Sequence, residues 1–179
     1  MDTSDPDITF DEHGHCNHCR GFFEVTRRGW FPNKEGHRLF EEWVERIKES
    51  GRGREYDCII GISGGVDSAY MAYRLKDYGL RMLAVHVDGG WNSEVAVQNI
   101  EMLVKKLNLD LFTYVVDWEE MRDLQLAFLK ASVANQDVPQ DHVFFAQLYR
   151  QATQHGIRYF LSGGNIATEC ILPSSWGYI

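Results

Sequence analysis

The period of the apolar positions changes several times along the chain. Between residues 34 and 50, Leu39, Phe40, Trp43, Val44 and Ile47 recur at three- and four-residue spacing among Glu, Lys and Arg, which predicts an amphipathic helix. Gly51-Arg52-Gly53-Arg54 interrupts the pattern as a linker. From there short, nearly continuous apolar runs at 57–62, 81–87, 111–116 and 158–162 read as buried strands. Helically spaced segments fall between them at 68–78 (Tyr70, Met71, Leu75), 94–107 (Val97, Ile100, Val104, Leu107), 119–133 and 141–155, with Pro139 marking a break between the last two. Strands alternating with helices predict an α/β domain, a parallel sheet with helices on both faces.

Residues 1–33 differ from the rest. They are rich in Asp, Gly, His and aromatic residues, show no long periodic segment, and read as a small irregular module in front of an α/β domain spanning 34–179. The chain ends on Leu172, Pro173, Trp176 and Tyr178 with no polar tail. Such residues pack onto something, so the α/β domain is expected to be truncated at its C-terminal end, or else to fold this tail back on its own core.

Composition narrows the class. The 179 residues are 44% hydrophobic and 25% charged, ordinary for a folded domain, and exclude wholesale disorder. No apolar run approaches the ~20 residues of a membrane span, and the first residues are acidic, which makes a cytoplasmic protein without membrane attachment the expectation. The net charge of −8 argues against a broad nucleic-acid surface. Of the four cysteines, Cys58 sits in an apolar run, whereas Cys16 and Cys19 form a CxxC, half of a metal site or a redox pair.

Ser63-Gly64-Gly65-Val66-Asp67-Ser68 directly follows the first predicted strand. In open parallel sheets ligands bind beyond the carboxyl ends of strands. Paired glycines admit a ligand close to backbone N–H groups, Ser63 and Ser68 add hydroxyls, and the next helix presents its positive end. All of this suits a pyrophosphate. Asp67 would repel one unless a divalent cation lies between, and Mg²⁺ is commonly held by one or two carboxylates plus substrate phosphates. A plain glycine-rich turn with a Ser or Asp helix cap accounts for Asp67 and Ser68 but not for the glycine pair. The loop lacks the Lys of a Walker A sequence, so ordinary cleavage between β- and γ-phosphates is not expected.

The hexapeptide, in strand–loop–helix context, resembles the PP-loop of ATP pyrophosphatases, which split ATP between the α- and β-phosphates and adenylate an acceptor oxygen. That likeness implies an adenine nucleotide alpha hydrolase-like fold, ATP and Mg²⁺ as cofactors, and Ser63, Gly64, Gly65, Val66, Asp67 and Ser68 as nucleotide ligands, with Asp67 and Ser68 at the reacting phosphates. It also implies that Val87, at the end of the second strand, meets adenine through its main chain. Asp88, Trp91 and Asn92 then lie at the mouth of the crevice. A second loop, Gly163, Gly164, Asn165 and Thr168 with Glu169 as a further Mg²⁺ ligand, would close over the nucleotide.

The resemblance extends along the chain to the N-acetyl sugar amidotransferases of surface-polysaccharide and flagellin-sugar synthesis. It rests on Asp2-Thr3-Ser4-Asp5-Pro6-Asp7-Ile8, Cys16-Asn17-His18-Cys19, Ser63 to Ser68, Asp88 to Asn92, Pro139 to His142 and Gly163 to Tyr178. It implies that ATP adenylates the N-acetyl amide oxygen of a nucleotide-linked sugar and that ammonia from a glutaminase partner displaces AMP, giving an acetamidino sugar for lipopolysaccharide O-antigen. Asp141 and His142 open the last predicted helix; His142 is a candidate base, or an exposed His beside an N-capping Asp. Relatives carry a second CxxC upstream that this sequence lacks, so the module at 1–33 resembles half a zinc ribbon, with Cys16 and Cys19 as candidate Zn²⁺ ligands and His13, His15 or His18 as substitutes. Relatives are also roughly twice as long. A tRNA-modifying, thiolation-type PP-loop enzyme, a non-catalytic nucleotide-binding module and a redox role for the CxxC remain alternative readings.

Overall fold

A computed structural model of the chain describes residues 2–165 together with Glu169, Pro173 and Ser175. Two compact units result, one formed by Met1–Glu42 with Gly164–Ile179 and the other by Trp43–Gly163. The division falls inside a helix, later than the boundary expected at residue 33.

The larger unit is a parallel sheet. Strands β1 (Cys58–Gly61), β2 (Met82–Asp88), β3 (Asp110–Val115) and β4 (Phe160–Leu161) lie in the order β3-β2-β1-β4. Helix α4 (Val66–Lys76) follows β1, α5 (Glu94–Leu107) joins β2 to β3, and α6 (Trp118–Lys130) and α7 (Val138–His155) join β3 to β4. The expected α/β class is thus the observed one. From β1 the chain moves one way along the sheet to β2 and β3, then returns to place β4 on the other side. The switch point lies between β1 and β4, where such folds open their ligand crevice.

The core explains the order. Ile59 and Ile60 are fully buried, one on each face of β1. Ile60 joins Cys58, Ala84, Leu75, Ile100 and the α3 (Lys34–Ser50) residues Val44 and Ile47. Ile59 joins Tyr56, Leu83, Val85 and Ile157, with Leu148 and Ala152 of α7 packed on them. Each such isoleucine contributes about 1.5–3 kcal/mol relative to exposure.

At the opposite edge from the loops, buried Asp57 accepts from the Arg81 backbone N–H at 2.8 Å and is gripped by the Arg81 guanidinium, which also reaches the Gly51 carbonyl at 2.9 Å. The linker at 51–54 is thereby stapled to the start of β2.

Several expectations need correction. The outward face of edge strand β3 is not covered: Leu111 is 40% and Val115 66% exposed. Tyr70 and Tyr73 of α4 are also exposed, and Trp43 of α3 is half exposed with its ring edge-on to Tyr159 at 6.4 Å. Pro139 does not break a helix; it sits in the first turn of α7, where its missing N–H costs nothing. Consequently α7 begins at Val138, and Asp141 lies in its first turn rather than capping it.

The smaller unit is more helical than its composition suggested. Asn17–Gly21 (α1), a π-helical turn Phe22–Thr26 and Arg27–Gly29 (α2) run consecutively. Phe22 contacts Phe23 and Trp30 edge-on, at 5.6 and 5.7 Å between ring centroids. No helix among the described residues is long and apolar enough to cross a membrane.

Candidate functional site

The helix starts differ in how they are capped, and α7 like α4 has no side-chain cap bond. Ser93 caps α5 by accepting from the Ala96 N–H at 3.2 Å, and Asp117 caps α6 by accepting from Glu119 and Glu120 at 3.0 and 3.2 Å. Helix α4 has neither device. Its N-cap is Gly65, with no side chain to offer and no side-chain cap bond. The turn is therefore not the Ser- or Asp-capped kind, and the N–H groups of Val66, Asp67 and Ser68 precede the first helical bond, Ala69 N–H to the Gly65 carbonyl, beside the strand switch point. Such donors together with the helix dipole suit an anion.

The turn is held from inside. Buried Ser68 accepts from the Ser63 N–H at 3.3 Å and donates to the Gly65 carbonyl at 3.2 Å, with Ser63 Oγ 3.4 Å away. Ser63 Oγ accepts from the Gly65 N–H at 3.4 Å. Both hydroxyls thus shape the loop, and their part toward a ligand is indirect in this arrangement.

Gly64 has φ +78°, and a Cβ there would lie 2.8 Å from the Ala96 α-carbon. Its carbonyl accepts from the Asn99 side chain at 3.0 Å. Only glycine satisfies both the left-handed backbone and this contact with α5. Val66, 77% exposed, and Asp67, also exposed, then start the helix on the open side.

Neighbouring strand ends converge on the same place. Gly163, just past β4, lies against the backbone of Asp67 and Ser68. The Ile62 N–H donates to the Val85 carbonyl at 3.0 Å; Val87, two residues on, turns its main chain to the same side, where β1 has already given way to the loop. The Val87 side chain is buried with Val116 and Met121. Beyond it Asp88 accepts from the Gly90 N–H at 2.9 Å, and exposed Trp91 meets Trp118 edge-on at 5.3 Å while donating Nε1–H to Gln125 at 2.8 Å.

The sequence did not disclose buried His86, whose ring stands 2.9 Å from the Ile62 carbonyl and 3.1 Å from the Asn92 amide nitrogen. Its only sequence signal is a polar residue inside the apolar run of β2. His142, on the exposed side of α7, donates from Nδ1 to the Val138 carbonyl at 2.8 Å, leaving Nε2 with a lone pair.

The remaining expected ligands belong to the other unit. Glu169 accepts from the Asn165 N–H at 2.7 Å, and its own N–H returns to the Asn165 carbonyl at 2.8 Å, forming one turn after Gly164. Thr168 lies outside the described residues.

The donors fit Mg²⁺ in the sparse way it requires, as exposed Asp67 supplies one carboxylate and phosphates and water supply the rest. For zinc no support is found: Cys16 and Cys19 lie 3.5 Å apart, but His18 is turned to Asp5 at 2.5 Å, His15 lies beside Asp11 and His13 beside Glu12, and no group of three metal-binding side chains is found among the described residues. Cys16 caps α1, accepting from the Cys19 N–H at 3.4 Å, and that bond lowers its thiol pKa.

No protein-family model matches the chain. It is 32% identical over 116 residues to the tRNA(Ile)-lysidine synthase of Chlamydia pneumoniae, which covers 64% of this chain and 34% of that protein. It is 28% identical over 165 residues to a glutamine-hydrolysing GMP synthase of Thermus thermophilus, covering 88% of this chain and 30% of the relative. The chain thus spans about a third of the curated relatives it matches. Among solved structures it resembles the NMN synthetase of Francisella tularensis, with a TM-score of 0.54 and 23% identity over 76% of this chain and 56% of that one. These relatives and structural neighbours are PP-loop ATP pyrophosphatases, and the chain shares the fold of the solved ones, the parallel-sheet adenine nucleotide alpha hydrolase fold.

Proposed function

We propose that this chain is the nucleotide-binding part of a cytoplasmic, ATP-dependent amidotransferase acting on the N-acetyl group of a nucleotide-linked sugar. The observation that carries the nucleotide reading is the glycine-capped start of α4 at the strand switch point, where backbone donors stand ready for a pyrophosphate. The sugar and the ammonia chemistry rest on the segment resemblance, and similarity to a glutamine-hydrolysing synthase supports a glutaminase as ammonia source.

In this reading Ser63, Gly64, Gly65, Val66 and Ser68 shape the turn that grips the β- and γ-phosphates. Val87 would meet adenine through its main chain, and by the segment resemblance Gly163, Gly164, Asn165 and Thr168 would be further nucleotide contacts. Asp67, with Glu169 as a further ligand, would hold Mg²⁺, which would supply charge neutralisation for the departing pyrophosphate. The N-acetyl oxygen attacks the α-phosphorus, the bond from that phosphorus to the oxygen bridging to the β-phosphate breaks, and pyrophosphate leaves. Ammonia then adds to the activated carbon, and AMP departs with the former amide oxygen. His142 Nε2 takes a proton from the adding ammonia.

The test follows the oxygen. The full chain is given ATP, Mg²⁺, ammonium and a UDP-linked N-acetyl sugar labelled with ¹⁸O in the acetyl carbonyl. The expected products are pyrophosphate and AMP carrying the label. Release of ADP and phosphate, or AMP without label, refutes the reading.

Similarity to a tRNA(Ile)-lysidine synthase favours a second reading, adenylation of a tRNA base. Pyrophosphate release that depends on tRNA rather than on the sugar, with a gel shift that weakens steeply with salt, would select it.

A further inference from the structure

The Ile62 peptide is the last one before the anion-binding turn, and β2 holds both of its polar groups. Its N–H goes to the Val85 carbonyl at 3.0 Å, an ordinary ladder bond. Its carbonyl has no strand partner left, and receives the His86 side chain instead, Nδ1 at 2.9 Å. A carbonyl only accepts, so Nδ1 carries the proton. The other ring nitrogen faces the Asn92 Nδ2, a donor, at 3.1 Å, so Nε2 accepts. The contacts fix one neutral tautomer in a ring that is only 7% exposed.

A closed circuit results. Ile62 is tied through His86 to Asn92; Asn92 leads into α5; Ala96 of α5 packs on Gly64, and Asn99 donates to the Gly64 carbonyl at 3.0 Å. The turn is pinned at both ends by side chains that have no chemistry of their own. Its donors keep their aim only while those carbonyls are held.

We propose that His86 and Asn92 are positioning residues for the phosphate grip: they fix the peptide entering the turn and join it to the β2 edge. The proposal rests on the nucleotide reading above and goes beyond it in assigning residues that touch no ligand.

The test exploits ring geometry. Asn reproduces the Nδ1 position of histidine and Gln the Nε2 position. His86→Asn therefore keeps the donor to Ile62, whereas His86→Gln and His86→Leu lose it. Affinities for MgATP and for AMP, which lacks the pyrophosphate, are measured by calorimetry on the full chain, with circular dichroism as the check of fold. The expected result is an about tenfold loss of MgATP affinity in His86→Leu and His86→Gln, near-normal binding in His86→Asn, and AMP binding unchanged throughout. Asn92→Ala, at a half-exposed position, is expected to show a smaller loss in the same direction, and it decides the matter if the leucine variant does not fold. Equal losses for MgATP and AMP, or no rescue by asparagine, overturn the positioning role while leaving the nucleotide site standing. A wild-type chain that binds neither nucleotide overturns both.

Discussion

Gly163 lies flat against Asp67. A Cβ added to Gly163 would sit 2.9 Å from the Asp67 carbonyl carbon and 3.0 Å from the Ser68 nitrogen, closer than real side chains approach backbone. The loop leaving β4 and the first turn of α4 are therefore in main-chain contact, and the gap between β1 and β4 has no spare width at this point.

Gly163→Ala should push the two loops apart. MgATP affinity is expected to fall about tenfold, a change of ~1.4 kcal/mol, with the thermal midpoint little altered because the core lies below the loops. Calorimetry beside a thermal melt checks it, and unchanged affinity would mean that this contact does not set the site.

Asp67→Asn keeps shape and hydrogen-bonding capacity but removes the charge. Mg²⁺-dependent release of pyrophosphate is expected to disappear while circular dichroism stays unaltered. Turnover at the wild-type rate would remove Asp67 from the metal site.

Burial raises the Cys58 thiol pKa to about 12, whereas the Cys19 N–H lowers that of Cys16. The thiolate is the reactive form and must also be reachable, so at pH 8 iodoacetamide should label exposed Cys19 first, Cys16, which keeps 7% exposure, more slowly, and Cys58 not until denaturant is added. Peptide mass spectrometry reads the order, and early labelling of Cys58 would contradict its burial in β1.

Asp5 is almost fully buried and accepts from Ser175 Oγ at 2.5 Å, from His18 and from the Asp7 N–H at 3.1 Å; these bonds lower its pKa, the Ser175 bond foremost. A depressed folded pKa gives stability that is present above the ordinary carboxylate value near ~3.9 and is lost as pH falls through the folded one. Protection of the amides at 5–19 against hydrogen exchange, corrected for intrinsic rates, should therefore hold at pH 5 and collapse below pH ~4. In Asp5→Asn it should be weaker and fall less steeply in that range, the remaining dependence coming from Asp11, whose pKa the His15 and His13 N–H groups also lower.

Removing the arginine of the Asp57–Arg81 staple leaves the buried Asp57 side chain without its counter-charge, since Asp57 is 3% and Arg81 48% exposed. Arg81→Ala is expected to cost about 3 kcal/mol, read as a lower urea midpoint, while nucleotide affinity barely moves because the staple is at the opposite end of the strands from the loops. A loss under ~1 kcal/mol would show that the linker holds without it.

Helices α3 and α5 were legible to the residue, and the reasons are local. Helix α5 has a Ser93 cap, a clean apolar stripe and Asn108 in the left-handed conformation at its end. Where local signals conflicted, the reading slipped. Pro139 reads as a break in one dimension, yet it favours a helix start. Asn17–Gly29 escaped notice because Phe22-Phe23 and Arg27-Arg28 give no helical period, and its order comes from aromatic contacts rather than from an apolar stripe. The outward face of β3 looked buried because Leu111 and Val115 are apolar, and a sequence does not say which strand lies at an edge.

The site divides the same way. The hexapeptide announced the turn, since glycine spacing and a following helix are contiguous features. What holds the turn was not legible. Ala96 and Asn99 meet Gly64 from another helix, and His86 reaches Ile62 from another strand. These are pairings created by the order of strands, and no window along the chain contains both partners.

The glycine at the head of α4 has a thermodynamic corollary. Helices α5 and α6 carry side-chain acceptors of their own at their starts. On the nucleotide reading, an anion in the turn would supply the acceptor that α4 lacks, and binding to the folded state alone would stabilise the domain. A pyrophosphate-bearing molecule would act on this domain as a missing structural part, and the resistance of the domain to heat and proteases would rise and fall with the concentration of that molecule.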